Sequence, residues 1–127
     1  MKDSIATEKA PAAIGPYAQG RIASGRIAFI SGQLPVDAGT GEMPGTIEEQ
    51  TRMSLTNVKA IVEEAGADMG KVVKTTVYLQ SMKDFSAMNG IYKTFFPEGK
   101  FPARSAIEVG KLPKDALVEI EAIVELN

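Results

Sequence analysis

Residues 101 to 121 run Phe-Pro-Ala-Arg-Ser-Ala-Ile-Glu-Val-Gly-Lys-Leu-Pro-Lys-Asp-Ala-Leu-Val-Glu-Ile-Glu. Two apolar-rich runs, Arg104 to Val109 and Ala116 to Leu126, flank a segment from Gly110 to Asp115 that carries Gly, Pro and Asp. This pattern predicts two strands joined by a turn, a β-hairpin. Side chains alternate along a strand. Val118, Ile120, Ala122, Val124 and Leu126 therefore share an apolar face, and Leu117, Glu119, Glu121, Ile123 and Glu125 share a mixed one. Pairing Val109 with Ala116 sets Ala106 opposite Glu119 and Arg104 opposite Glu121, which puts one guanidinium beside two carboxylates on the face away from the core. Such a face is either solvated or part of an interface that holds a pocket.

Upstream, Thr46 and Glu49 form a capping box, and Leu55, Val58, Ile61, Val62 and Ala65 recur at helical spacing until Gly66. Lys71 to Leu79 is β-branched and reads as a central strand. Ser81 or Asp84 caps a second helix whose stripe is Phe85, Met88, Ile91, Tyr92 and Phe95, with Pro97 as the stop. Asn89 lies off that stripe, and the aromatic residues are assigned to core. Towards the start, Gly20 to Ser24 and Arg26 to Ser31 suggest another hairpin turning at Ser24-Gly25. Residues 1 to 19 read as an extended arm ending in a turn at Ile14-Gly-Pro-Tyr17. Gly39, Gly41 and Gly45 imitate a dinucleotide fingerprint, but the spacing is wrong and Pro44 intervenes.

The expected order is β-β-α-β-α-β-β, an α+β two-layer sandwich formed by 1-127 as one domain. Two helices cover only one side of the sheet. Leu117 and Ile123 on the other side argue for burial against further copies of the chain.

Composition narrows the chemistry. The chain has no Cys and no His, which removes zinc, iron-sulfur and haem sites of the usual ligand types, Cys nucleophiles, disulfides and Ser-His-Asp triads. A formal net charge of −2 over 127 residues offers no basic stripe for nucleic acid. No run has the length of a membrane span or signal peptide, so the expected location is cytoplasmic.

Several segments resemble one known family. Ile5-Ala-Thr-Glu-Lys-Ala-Pro-Ala-Ala-Ile-Gly-Pro-Tyr17, Ile30-Ser-Gly-Gln33, Asn57-Val-Lys-Ala-Ile61, Val73-Lys-Thr-Thr-Val77, Phe101-Pro-Ala-Arg-Ser105, Leu112-Pro-Lys-Asp115 and Glu119-Ile-Glu-Ala122 are similar to the RidA/YjgF family over essentially the whole chain. The resemblance implies a chorismate-mutase-like fold assembled as a homotrimer with a central β-barrel and ligand clefts between subunits. It implies enamine/imine deaminase activity: reactive 2-imino acids such as 2-iminobutanoate and 2-iminopropanoate, released by pyridoxal-phosphate enzymes, are hydrolysed to 2-keto acids and ammonia. No cofactor and no metal are implied.

By motif, Arg104 is implied as the carboxylate-binding arginine and Glu119 as the acid near the reacting carbon. Tyr17, Ser31, Gly32 and Asn89 match positions lining the family cleft. Ala106 stands where many members carry Cys: if that position contributes its backbone N–H to the substrate carboxylate, Ala preserves the donor, and if the thiol has a redox or regulatory role, this chain lacks it. On the residues alone, Arg104 is better explained by an ion pair with Glu121 or Glu119, and Glu119 by a solvated or interface face. The resemblance reverses both assignments and leaves Glu121 structural. Two other readings stand beside the deaminase: a regulatory trimer that binds small carboxylates without turnover, and a ribonuclease.

Overall fold

A computed structural model describes residues 3–126. Its main sheet has four strands, β3 (Ile27–Gln33), β4 (Val72–Leu79), β5 (Ala103–Glu108) and β6 (Val118–Glu125), in the order β3-β6-β4-β5. A small ladder of β1 (Ser4–Ile5) and β2 (Gly20–Arg21) lies apart from it. Helices α1 (Ile47–Glu64) and α2 (Phe85–Tyr92) pack on one side. The result is the expected α+β two-layer arrangement.

Two expected hairpins are absent. β5 pairs in parallel with β4, whereas β6 runs antiparallel between β4 and β3. The physical reason lies in the connections. Parallel neighbours need a long crossover, and α2 supplies it between β4 and β5. The segment from Gly110 to Ala116 does not turn the chain straight back. It buries Leu112, makes a short 3-10 turn at Pro113–Asp115, and carries Lys114 and Asp115 at φ 58° and 55°. That detour returns the chain beside β4. At the other site, Gly25 does turn with φ 81°, but β2 pairs with β1 and β3 pairs with β6.

The alternation expected for β6 holds. Val118, Ile120, Ala122 and Val124 are buried, and the residues between them are half-buried. Against them α1 sets Leu55, Val58 and Val62, and α2 sets Met88 and Tyr92, each inaccessible to solvent. Burying one such aliphatic side chain is worth about 1.5–3 kcal/mol. The capping box forms as well, with Thr46 Oγ1 accepting from the Glu49 amide at 3.1 Å. Ser81 caps the 3-10 turn that leads into α2 by accepting from the Lys83 amide, while Asp84 makes no side-chain cap.

The sheet face opposite the helices is bare. Phe29 is 77% exposed there, directly across from Ile123, and Ile107 is exposed on β5. No helix among the described residues is long and apolar enough to cross a membrane.

Candidate active site

Arg104 stands in β5 directly beside Thr75 of β4, and paired residues in a sheet project to the same face. Thr75 faces the helices and is 1% exposed. The guanidinium is thus directed towards α2, not towards the bare face. There Nη1 donates to Asn89 Oδ1 at 2.7 Å. Three aromatic rings surround the guanidinium carbon, with centroids at 5.3 Å for Tyr17, 5.6 Å for Phe85 and 4.8 Å for Tyr92.

Each wall has a local cause. Phe85, Asn89 and Tyr92 fall at i, i+4 and i+7 on α2, one face of the helix. Tyr17 arrives from the side: Ala18 bridges Ala103, and the Ala18 amide donates to the Pro102 carbonyl at 3.0 Å, which lays the Gly15-Pro16-Tyr17 turn along the outer edge of β5. The Tyr17 hydroxyl accepts from the Ile14 amide at 3.4 Å.

No carboxylate among the described residues lies within ion-pair distance of Arg104. The expected pairing with Glu121 or Glu119 does not occur, because β4 and not β6 is the neighbour of β5. Burial lowers the Arg104 pKa from its usual value, and the two tyrosines oppose that shift. Arginine stays protonated in proteins, so a half-buried cation stands here with neutral partners among the described residues. Burial pushes the Tyr92 phenol up to about 12, which keeps it neutral beside that cation.

Glu119 lies on the other face. It pairs with Tyr78, and Glu121 pairs with Thr76, both turned away from the helices. The Tyr78 pKa is raised, first by burial and then by the neighbouring carboxylates of Glu121 and Glu119. Ser31 and Gly32 sit where the β3–β6 register shifts between Ile30 and Gln33. A Cβ on Gly32 would stand 2.9 Å from the Glu119 carboxyl carbon, so the glycine makes room for that side chain. Ser31 borders a shallow concavity of about 260 Å³ with Phe29, Glu121 and Ile123.

The candidate residues therefore form two groups. Tyr17, Asn89, Arg104 and, two residues along the same strand face, Ala106 lie on the helix side. Ser31, Gly32 and Glu119 lie on the bare side. Phe85, Tyr92 and Thr75 were not singled out as site residues from the sequence. Their signal was the i, i+4, i+7 spacing that joins Phe85 and Tyr92 to Asn89, which corrects the assignment of Asn89 to a different face. A concavity of about 770 Å³ lies elsewhere, under the arm from Ser4 to Ala13. That arm is folded around Gln19, whose Nε2 donates to the carbonyls of Thr7 at 3.1 Å and Pro11 at 2.6 Å.

A family model described as Endoribonuclease L-PSP matches residues 7–126. The chain belongs to this family, the RidA/YjgF family. As a RidA/YjgF member it is 54% identical over 125 residues to the 2-iminobutanoate/2-iminopropanoate deaminase of Escherichia coli K12, covering 97% of each chain. Its fold is similar to the crystal structure of the Escherichia coli YjgF gene product, with a TM-score of 0.78 at 52% identity over 98% of both chains. Escherichia coli TdcF with bound serine superposes with a TM-score of 0.77 at 47% identity, again over 98% of both. The family match over residues 7–126 spans all seven candidate positions.

Proposed function

We propose that this chain is a 2-iminobutanoate/2-iminopropanoate deaminase, working in the cytoplasm as a homotrimer whose clefts lie between subunits. The observation that carries the proposal is Arg104, a half-buried guanidinium with aromatic walls, a neutral hydrogen bond to Asn89 and no acid partner among the described residues. A substrate carboxylate supplies the missing counter-charge. The planar fork can donate two parallel hydrogen bonds to it, each worth about 1.5–3 kcal/mol when charge-assisted.

The overall reaction converts a 2-imino acid and water into a 2-keto acid and ammonia. The water oxygen bonds to the imine carbon, the nitrogen takes up protons, and the carbon–nitrogen bond then breaks with its electron pair leaving on ammonia. Glu119 is suited to accept a proton from water and return it to the nitrogen, help typically worth about 10²–10⁴-fold. Because Arg104 and Glu119 occupy opposite faces of one sheet, the cleft joins Arg104, Asn89, Tyr17 and Ala106 of one copy to residues of a neighbouring copy. The bare face with exposed Phe29 and Ile107 supports such an assembly.

Threonine dehydratase with threonine generates 2-iminobutanoate for the test. The wild-type chain accelerates release of 2-ketobutyrate, and Arg104→Ala does not. Absence of acceleration by the wild type overturns the reading. Calorimetric binding of 2-ketobutyrate without turnover would point instead to a carboxylate-binding regulatory trimer. Ribonuclease activity has the family description in its favour, but a chain of formal charge −2 without histidine is poorly equipped to neutralise phosphates or shuttle protons on RNA.

A further inference from the structure

Tyr92 is a fully buried phenol on the face of α2 that it shares with Phe85 and Asn89. A buried hydroxyl needs a partner, and a phenylalanine would fill the same core without one. The partner is Thr75, whose Oγ1 lies 2.6 Å from the Tyr92 hydroxyl. Thr75 is also the strand neighbour of Arg104. The three residues close a triangle across β4, β5 and α2: Arg104 beside Thr75 in the ladder, Thr75 bonded to Tyr92, and the Tyr92 ring 4.8 Å from the guanidinium carbon. Phe96 stacks against Tyr92 at 4.8 Å, which further restricts the ring.

We propose that Tyr92, anchored by Thr75, is a positioning residue that fixes the plane of the Arg104 fork for the substrate carboxylate. No acid among the described residues pairs with this guanidinium, so its direction is set by neutral contacts: Asn89 on Nη1 and the ring that Thr75 holds in place. The inference rests on the deaminase reading and adds to it two residues that do not touch the substrate.

Tyr92→Phe keeps the ring and removes only the hydroxyl, and Thr75→Val removes the other half of the bond at nearly constant volume. In the coupled imine assay each variant should raise KM about five- to tenfold, the worth of one buried hydrogen bond, and leave kcat within about twofold. Thr75→Ser keeps the hydroxyl and should restore KM. The double variant should be no worse than either single, because both remove the same bond.

Calorimetric Kd values for 2-ketobutyrate, measured in parallel, follow the same pattern without requiring turnover. A failure of the deaminase reading thus shows in the wild-type rate, and a failure of the positioning role shows in Kd. Circular dichroism and melting curves identify folded variants. Unchanged KM and Kd in a folded Tyr92→Phe or Thr75→Val protein overturns the proposal, as does an additive double variant.

Discussion

Arg104 and Glu119 project from opposite faces of the same sheet, Arg104 level with Thr75 and Glu119 level with Tyr78. A substrate bound between them in one chain would have to pass through the β4–β6 ladder. The arrangement instead supports a cleft completed by a second copy, with consequences for assembly, for the acid and for the aromatic cage.

The bare face is the first place to disturb. Phe29, 77% exposed opposite Ile123, is a large apolar side chain on the bare face, of the kind buried between subunits. In the proposed trimer, Phe29→Arg should shift the protein towards monomer in light scattering after size exclusion and abolish deaminase activity together with assembly. An active, trimeric Phe29→Arg protein would remove this face from the interface.

Gly32 controls the acid. A Cβ there meets the end of a flexible side chain, not backbone, and the position does not carry positive φ. Gly32→Ala should therefore fold with little change in melting temperature while pushing the Glu119 carboxylate aside. Since a placed acid-base group contributes about 10²–10⁴-fold, kcat should fall about tenfold or more. Unaltered kcat in the coupled assay would separate Gly32 from the placement of Glu119.

Tyr92 gives the fold an alkaline limit. Its pKa is raised to about 12 by burial, from 10.0. Between pH 10 and 12 the unfolded phenol has lost its proton and the folded one has not, so protons are bound more by the native state and stability falls as pH rises. At about 1.4 kcal/mol per unit the loss approaches about 3 kcal/mol. Urea titrations of wild type should show it, and Tyr92→Phe should flatten most of the slope. The half-exposed Tyr78 shifts in the same direction and accounts for a smaller remainder.

Thr46→Ala removes the hydroxyl that accepts from Glu49 N and should cost about 1 kcal/mol in urea unfolding, with activity intact. An unchanged urea midpoint would show that the cap contributes nothing to stability.

What the sequence revealed follows from what a local pattern can carry. Alternation in Val118–Glu125 identified which side chains turn inward, and the Thr46/Glu49 pair marked where α1 begins. Neither says which strand lies alongside. β5 and β6 are close in sequence and look like a hairpin, yet the crossover through α2 gives β5 to β4 and leaves β6 between two other partners. That single difference moved Arg104 from a predicted acidic face to an aromatic cage. The motifs selected Tyr17, Asn89 and Arg104, which the fold brings together, and Gly32 and Glu119, which it also brings together. The division into two faces was hidden because it depends on strand order. Phe85 and Tyr92 were hidden for another reason: an aromatic on a helix stripe has the same pattern whether it meets aliphatic core or a cation.

Subunit mixing tests the shared cleft most directly. Arg104→Ala and Glu119→Gln are each expected to be inactive alone. Combined in equal amounts and allowed to exchange subunits, they should recover about a quarter of wild-type imine hydrolysis, since one cleft in four then joins an intact Arg104 to an intact Glu119 of a neighbour. A mixture that exchanges subunits by native mass spectrometry yet stays as inactive as its parents would contradict the account.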